Sequence, residues 1–357
     1  MSAPTRNVLL DILELGRWAP SGDNTQPWRF EIVADDHVVV HGHDTRDEVV
    51  YDLDGHASQL SLGTLLETIR IAATKFGLET LTERRLDMPD TRPTFDLRFV
   101  DRRLPPSELI ECITTRSVQR KPFSTRRLSA EEKQALQASV GPGYRLGWLE
   151  SGAERLHMAR LWSRTAKLRL TLPEAFEVHR VAIEANVRFS PDRVPDQAVG
   201  LDALTLKLMH WAMRDWRRMS FLNKYLAGTL APRLQLDLIP AMACAAHVYV
   251  MADQEPTEID HFVAAGGAVQ RFWLTLTKLG LRFQPAMTPL IFSRYARRNM
   301  RFSKEDWAMP AAAAIANALN EAIGAHQERI VWLGRIGQAA PPVSRSLRLP
   351  LEQLLKI

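Results

Sequence analysis

A polar loop near the N-terminus carries side chains that suit the edge of a planar heterocycle. Ser21, Asn24 and Gln26 each offer a short hydrogen-bonding group, and the neighbouring Pro27 and Trp28 are flat and apolar. A flavin or a pterin ring would fit this combination. The same residue types are common in ordinary turns, so the residues by themselves leave a ring-binding loop and a plain connection equally open.

Arginines form two clusters, around residues 116–127 and 294–301, in a chain of formal charge +5. In the first cluster, Arg116, Ser117 and Arg120 supply two guanidiniums and a hydroxyl, which can form charge-assisted, bidentate bonds to a phosphate. A basic surface turn is the alternative. No helix-turn-helix, zinc-finger or RNA-recognition pattern accompanies either cluster, so a cofactor phosphate is a better partner than nucleic acid.

The remaining reactive side chains form no catalytic or metal-binding pattern. Cys112 and Cys244 stand in apolar helical contexts and are expected in the core. No Gly-x-Gly-x-x-Gly or Gly-x-Ser-x-Gly motif predicts a Rossmann-bound nicotinamide or a covalent nucleophile. Four histidines crowd one predicted hairpin, where we expect solvation rather than a metal site: His37, His41, His43 and His56.

The polar loop lies between a helix and a hairpin. Apolar residues at positions 9, 10, 12, 13 and 15 define one face of a helix, which Gly16 and Pro20 end. Downstream, Phe30 and Ile32 are expected to pair with residues 38–40 across a turn at 34–36. The loop is therefore held between two regular elements.

Helical and strand patterns alternate along the rest of the chain, which predicts an α+β fold. The connection 189–196 is too polar for the core. Helices are predicted at 107–115, from the capping box at 129–132, and at 154–179, 201–227 and 309–325; strands are predicted at 94–100, 144–149, 247–251 and 331–337.

Two predicted helices repeat one construction. The helix from Gly63 ends in Thr-Lys-Phe-Gly77-Leu, and the helix from Gly266 ends in Thr-Lys-Leu-Gly280-Leu, fourteen residues after the first glycine in each case. This period is far too long for a solenoid. It predicts two tandem copies of one domain, residues 1–104 and 105–357.

One segment resembles a known family. Ala19-Pro20-Ser21-x-x-Asn24-x-Gln26-Pro27-Trp28 is similar to the Pro-Ser-x-x-Asn-x-Gln-Pro-Trp signature of the FMN-dependent nitroreductases. The resemblance implies FMN as cofactor. The segment Arg116–Arg120 is similar to the family's phosphate motif with altered spacing, Arg345 and Arg348 resemble its C-terminal basic pair, and loop 284–288 resembles the segment whose backbone N–H groups face flavin N5. The implied cofactor residues are Pro20, Ser21, Asn24, Gln26, Arg116, Ser117, Gln119, Arg120, Pro285, Met287, Thr288, Arg345 and Arg348.

The resemblance also implies a fused pseudo-dimer. Nitroreductases are usually homodimers that build each flavin site from both subunits, whereas each predicted copy here holds only one half of the required residues. We therefore expect a monomeric, tandem duplicated nitroreductase-like fold with one FMN site. The poorly matching segment 150–240, with Phe189, Trp211, Trp216 and Arg217, is the expected lid.

The expected function is two-electron transfer from NAD(P)H through FMN to a small aromatic acceptor such as a nitroarene or quinone, with no obligatory side-chain acid or base. The alternative is a protein that sequesters FMN beneath its lid. Residues 1–7 lack the apolar core of a secretory signal, and no apolar run approaches the roughly 20 residues of a membrane span. We expect a cytoplasmic location and no membrane partner.

Overall fold

The computed structural model describes residues 4–226, 228–324 and 326–356. Its helices are α1 Arg6–Gly16, α2 His56–Ala73, α3 Ile110–Ile113, α4 Ala130–Val140, α5 Gly152–Thr171, α6 Pro173–Ala182, α7 Ala203–Ala212, α8 Trp216–Tyr225, α9 Leu230–Pro232, α10 Ile239–Met242, α11 Ile259–Lys278, α12 Thr288–Arg297, α13 Ala308–Ile323 and α14 Leu351–Leu354. A π-helical segment, Arg233–Leu238, joins α9 to α10.

The strands are β1 Trp28–Ala34, β2 His37–Gly42, β3 Leu78–Arg84, β4 Thr94–Asp101, β5 Tyr144–Leu149, β6 Ile183–Glu184, β7 Phe189–Ser190, β8 Val194–Pro195, β9 Ala246–Ala252, β10 Arg282–Pro285, β11 Ile330–Gly337 and β12 Arg345–Ser346. Helices pack against two four-stranded antiparallel sheets. The α+β class predicted from the sequence is confirmed.

The two large sheets share one strand order. The first runs β1-β2-β4-β3, and the second runs β5-β9-β11-β10 when read from its β5 edge. In each, a helix precedes the first strand, and a long helix, α2 or α11, joins the second strand to the third. We call the sheet β1–β4 with its helices the first unit and the sheet β5, β9–β11 with its helices the second unit.

The long helices α2 and α11 cross at the glycines of the sequence repeat. A methyl group on Gly63 would lie 2.0 Å from the carbonyl oxygen of Val263, and one on Gly266 would lie 2.1 Å from that of Leu60. Only hydrogen fits between the two backbones at this crossing. The glycines that mark the repeat therefore occupy the contact between the units.

The C-terminal tail returns to the first unit. Leu351 and Leu354 are buried in the core formed by α1, α2 and the first sheet. The backbone N–H of Lys356 donates to the carbonyl oxygen of Phe30 at 2.7 Å. This packing brings the basic residues of the tail beside the N-terminal polar loop.

Most predicted elements occur close to their expected positions, and the differences have local causes. The helix predicted from Gly63 begins at His56, because the Asp52 carboxylate accepts hydrogen bonds from the N–H groups of Ala57 and Ser58 at its first turn. Strand β3 was not predicted, since its alternation is largely polar. The helix expected at 154–179 is interrupted before Pro173, which has no N–H to continue it. The single helix expected at 201–227 is instead two helices, α7 and α8, because the Asp215 carboxylate caps a new first turn. The helix expected to reach 325 ends at Ile323, and residues 227 and 325 lie outside the described part of the chain.

Two exposure predictions were wrong. The connection 189–196 is not wholly external: Ser190 and Asp196 are buried, and the Asp196 carboxylate accepts backbone N–H bonds from residues 186, 187 and 197. His37 and His56 are buried rather than solvated. His37 Nε2 hydrogen-bonds to the Asp96 carboxylate at 2.7 Å, which satisfies that ring nitrogen, and His56 Nδ1 lies 3.2 Å from the Asp54 carboxylate.

No helix in the described part of the chain has both the length and the apolar character needed to span a membrane. Both cysteines are free and buried, as expected.

Candidate functional site

A cavity of about 420 Å³ is lined by residues of both units. Its size is within the range of small-molecule and cofactor sites. Eleven of the thirteen predicted cofactor residues line it: Pro20, Ser21, Asn24, Arg116, Ser117, Arg120, Pro285, Met287, Thr288, Arg345 and Arg348. The tertiary fold thus brings together segments more than 300 residues apart in the sequence.

The N-terminal polar loop forms one wall, and it is rigidly shaped. Asn24 and Gln26 have positive φ angles of 65° and 49°, and the Ser21 hydroxyl accepts a hydrogen bond from the Gln26 N–H at 3.0 Å. Thr64 of α2 donates to the carbonyl oxygen of Pro20 at 2.8 Å, which fixes the loop to the central helix. The loop is therefore held in place before any ligand binds.

Asn24 presents an unused acceptor. Its amide nitrogen donates to the carbonyl oxygens of Pro191 and Arg193, whereas its Oδ1 is buried without a hydrogen-bond partner among the described residues. A buried polar atom without a partner is costly. A ligand N–H, such as that at the edge of a flavin ring, would satisfy it.

Arg116, Arg345 and Arg348 form the tail cluster, where three guanidiniums meet without a carboxylate. Arg116 donates to the carbonyl oxygen of Trp18 at 2.9 Å, Arg348 donates to that of Ala19 at 2.8 Å, and the Nε of Arg116 is buried without a partner. Across the residues described, no Asp or Glu side chain forms an ion pair with any of the three. The cluster has the composition of an anion site.

The electrostatics of the tail cluster support this assignment. Burial, followed by the charges of Arg345 and Arg17, lowers the pKa of Arg348 to about 9. Burial, followed by the charges of Arg348 and Arg345, lowers the pKa of Arg116 well below its usual value. Buried cations without counter-charges raise the free energy of the folded chain, and a bound dianion such as a phosphate monoester would offset that cost.

Arg120 lies in a different electrostatic neighbourhood from Arg116. Burial lowers its pKa most, and the neighbouring charges that act on it are those of Asp23 and Arg169 rather than the tail cluster. Its guanidinium donates to the carbonyl oxygen of Ala198 at 3.1 Å. Arg120 lines the cavity, but the charges around it do not associate it with the tail cluster.

Gln26 and Gln119 do not line the cavity and connect surrounding segments instead. Gln26 is fully buried, donates to the carbonyl oxygens of Asn24 and Pro191, and accepts the N–H of Leu349 at 2.9 Å. The Gln119 side chain donates to the carbonyl oxygen of Ala340 at 2.9 Å. Both hold the tail and loops that surround the cavity.

The loop 284–288 presents the start of α12 to the cavity. The first N–H groups of a helix have no acceptor within the helix and carry partial positive charge, which favours an anionic ligand group. Thr288 begins α12, and Met287 precedes it as the cap residue. This geometry suits stabilisation of negative charge on a bound ring.

Arg335 positions two of these segments and had no sequence signal beyond its place in a predicted strand. It is fully buried, donates to the Gln284 side chain at 2.7 Å, and donates to the carbonyl oxygens of Arg120 and Lys121 at 2.7 and 2.8 Å. Its guanidinium also lies 3.9 Å from the centre of the Phe123 ring. One strand residue thereby holds the arginine segment beside the 284–288 loop.

The sequence did not indicate a second set of polar residues that lines the cavity. The Tyr51 hydroxyl lies 3.0 Å from Nε2 of His179, and Arg169, Asp237 and Asp23 line the same cavity. No spacing in the sequence relates these residues, because they come from the first unit and from helices of the 150–240 segment. The sole hint is the position of Asp23 within the polar motif.

The 189–196 segment, which we call the cover strand, closes over the polar loop. Its β7 pairs in parallel with β12 of the tail, and Ser346 donates to the carbonyl oxygen of Arg193 at 2.9 Å. Asn24 and Gln26 both donate to the carbonyl oxygen of Pro191. Of the wider segment predicted as a lid, α5 packs into the core, and Phe189, Trp211, Trp216 and Arg217 do not line the cavity.

Residues 1–60 match the family model described as "Nitroreductase family". This match confirms the resemblance carried by the Pro-Ser-x-x-Asn-x-Gln-Pro-Trp motif, which lies inside those residues. A comparison with curated proteins found no match.

Solved structures similar to this chain include the following three, all at low sequence identity. A nitroreductase-like family protein from Bacillus cereus is 13% identical, covers 70% of this chain and 96% of its own, and has a TM-score of 0.33. The FMN-dependent nitroreductase NfnB from Mycobacterium smegmatis, in complex with NADPH, is 14% identical with coverages of 69% and 96% and a TM-score of 0.36. Iodotyrosine deiodinase bound to FMN and 3-iodo-L-tyrosine is 13% identical with coverages of 68% and 94% and a TM-score of 0.33. These similarities are too distant to assign residue roles.

Proposed function

We propose that this chain binds FMN in the cavity and transfers two electrons from NAD(P)H to a small aromatic acceptor such as a nitroarene or quinone. The observation that carries the proposal is the meeting of the ring-binding loop, the tail cluster and the start of α12 around one cavity. Each of the three segments would bind or stabilise a different part of a flavin mononucleotide.

The chain's own groups fit the parts of this cofactor. The unused Oδ1 of Asn24 would accept a ring N–H, and Arg116, Arg345 and Arg348 would bind the phosphate. The N–H groups at the start of α12 would stabilise negative charge on the reduced ring. Bound FMN would supply the redox chemistry, and the protein would supply orientation and electrostatics.

We also propose that the two units are tandem copies, residues 1–104 and 105–357, so that a single chain resembles a dimer. Support comes from the common strand order and from the equivalent positions of Gly63 and Gly266 at the crossing of α2 and α11. On this proposal the chain is active as a monomer in the cytoplasm, with NAD(P)H and the acceptor as its small-molecule partners.

The test is an anaerobic reduction. Protein purified with added FMN should retain a yellow colour, bleach with NADH or NADPH, and regain colour when a quinone or nitroarene is added. A chain that retains no flavin would contradict the proposal at its first step. The variant Arg164→Gln is a suitable control, since Arg164 is an exposed residue of α5 that does not line the cavity.

A second function, storage of FMN, is favoured by the cover strand. Four hydrogen bonds from Asn24, Gln26 and Ser346 hold its carbonyl oxygens over the polar loop. A cover that opens rarely would slow the entry of nicotinamide and acceptor. Flavin that is retained but not bleached by either nicotinamide under anaerobic conditions would select this alternative.

A further inference from the structure

We propose that the cavity contains a second subsite, in which Arg169 binds the carboxylate of a small aromatic molecule. The inference rests on the proposed function, because it names the class of molecule that would meet the flavin. It concerns the wall of the cavity formed by α5, α6 and the π-helical segment, which the cofactor residues do not occupy.

Arg169 is a cation of the cavity wall. It lies in the last turn of α5, lines the cavity, and has a buried Nε that makes no hydrogen bond to any residue the structure describes. Within the described residues, no carboxylate lies at ion-pair distance from its guanidinium. A guanidinium in this condition is the group that most readily binds a planar carboxylate through two parallel N–H bonds.

The Arg169 subsite is separate from the tail cluster. The charges that act on Arg116 are those of Arg345 and Arg348, whereas the charge of Arg169 acts on Arg120, Asp23 and Asp237. One cavity therefore holds two groups of cations with different neighbours. A single phosphate in the tail cluster would leave the Nε of Arg169 without an acceptor among the described residues.

The walls beside Arg169 favour an aromatic ligand. Tyr51, Trp162 and His179 line this part of the cavity, and the Tyr51 and His179 rings stack with centroids 5.9 Å apart. Burial, with a further contribution from Arg169, lowers the pKa of His179 to about 3, so its ring is neutral at neutral pH. Burial also raises the pKa of Tyr51, which keeps its phenol neutral. Flat, uncharged surfaces beside one cation match an aromatic carboxylate.

Asp237 gives the subsite a pH dependence. It lies in the π-helical segment, lines the cavity, and has a buried Oδ2 without a hydrogen-bond partner. Burial raises the pKa of Asp237 to about 6, although Arg169 of α5, Arg233 of the same segment and Arg335 of β11 oppose the shift. Below this pKa the carboxyl can donate to a bound carboxylate, and above it the ionised group repels one.

Asp23 is the other carboxyl near Arg169, on the N-terminal polar loop. Burial raises its pKa, and Arg120 and Arg169 oppose the increase. Protonation of Asp23 would act in the same direction as protonation of Asp237. The variant Asp237→Asn separates the two, because it removes only the titration within the π-helical segment.

The experiment is a calorimetric titration with benzoate and with its uncharged analogue benzamide. The FMN-saturated protein, Arg169→Gln and the control Arg164→Gln are compared at about pH 5, below the pKa of Asp237, and flavin affinity is measured for each. We expect the unmodified protein and the control to bind benzoate about tenfold more tightly than benzamide, a difference of about 1.4 kcal/mol. Arg169→Gln should bind the two compounds equally while it retains FMN. Arg169→Lys, which keeps the charge, should keep most of the preference and so separates loss of charge from a folding defect.

The pH arm uses the same compounds at about pH 5 and about pH 8, on either side of the Asp237 pKa. The preference for benzoate should be larger at the lower pH in the unmodified protein and much less pH-dependent in Asp237→Asn. The proposal is overturned if the unmodified protein binds both compounds equally, if Arg169→Gln keeps the preference, or if that variant loses FMN, as is expected of a change at Arg348 in the tail cluster. If the unmodified protein does not bind FMN at all, the proposed cofactor is rejected instead. The heats of benzoate binding to the unmodified protein and to Arg169→Gln would then still test whether Arg169 binds a carboxylate.

Discussion

Buried arginines without carboxylates are the main chemical feature at the residue scale. Arg116 and Arg348 have almost no exposed surface. Their guanidiniums donate to carbonyl oxygens, and that of Arg116 also lies 4.6 Å from the centre of the Trp273 ring. Such an arrangement destabilises the empty protein and stabilises an anionic complex. A site that binds a phosphate tightly would be expected to carry this cost before its ligand arrives.

We predict that Arg348→Gln weakens FMN binding by at least about tenfold, since a charge-assisted bond to phosphate contributes about 1.5–3 kcal/mol. The same change removes a buried cation from the empty protein. The apoprotein should therefore unfold at a temperature no lower than that of the unmodified chain. Flavin fluorescence measures the first effect, and thermal unfolding without FMN measures the second.

A matched change at Arg164 should alter neither quantity, because that arginine is exposed on α5 and does not line the cavity. Unchanged FMN affinity in Arg348→Gln would remove the tail cluster from the cofactor site. A large loss of apoprotein stability would indicate that the bond from Arg348 to the carbonyl oxygen of Ala19 is its main role.

At the scale of elements, the cover strand determines how a ligand enters and leaves. Its position depends on hydrogen bonds between its carbonyl oxygens and side chains from both ends of the chain. It also depends on the short pairings of β7 with β12 and of β8 with β6, and on the backbone N–H bonds to the Asp196 carboxylate. None of these contacts is part of either large sheet. Opening the cover strand therefore does not require either large sheet to unfold.

We predict that Ser346→Ala raises both the entry rate and the release rate of FMN, each roughly fivefold, because one hydrogen bond of about 1 kcal/mol no longer holds the cover strand. Stopped-flow fluorescence measures both rates. The control is Ser139→Ala. Like Ser346, Ser139 has a hydroxyl that donates to a backbone carbonyl oxygen, but it lies in α4 and does not line the cavity. If FMN release became faster while FMN entry was unchanged, Ser346 would contact the cofactor directly instead of holding the cover strand in place.

The crossing of α2 and α11 is the second feature at this scale. We predict that Gly63→Ala destabilises the folded protein by about 1–3 kcal/mol, because its methyl group would overlap the Val263 carbonyl oxygen and force the helix backbones apart. Gly152→Ala is the control, since nothing lies within 4 Å of its added methyl group. Denaturant unfolding compares the two. Equal midpoints would mean that the helices can separate at little cost.

At the scale of the whole molecule, one chain contains two units of the same connectivity but a single set of predicted cofactor residues. The polar motif belongs to the first unit, and the arginine segment and loop 284–288 belong to the second. The tail then crosses back to the first unit with Arg345 and Arg348. The cavity described here is consequently asymmetric even though the sheets have the same order.

We predict a stoichiometry of about one FMN per chain, since the ring-binding loop occurs once. The ratio of flavin absorbance to protein concentration in saturated, gel-filtered samples measures it. Saturating FMN at about 100 times its dissociation constant should also stabilise the chain by about 2.7 kcal/mol. Two flavins per chain would require a second site that the sequence motif does not predict.

Features that depend on local pattern could be predicted from the order of the residues alone. The amphipathic spacing of α1, the capping box of α4, the β1–β2 hairpin and the strands β4, β5, β9 and β11 were all predicted close to their observed positions. Residue type also indicated that the polar loop and the arginine segment suit a ring and an anion. Periodicity, capping and functional-group chemistry can each be evaluated over a few neighbouring residues.

Which distant groups share one cavity depends on how the chain packs in three dimensions. Arg169, Asp237, Tyr51 and His179 carry no common motif, and they meet because the helices between β5 and β9 fold onto the first unit. The roles of Gln26 and Gln119 as connectors, and the different neighbours of Arg116 and Arg120, likewise depend on contacts between segments far apart in the sequence. Burial and charge proximity are properties of the packed chain, so no local pattern of residues could have specified them.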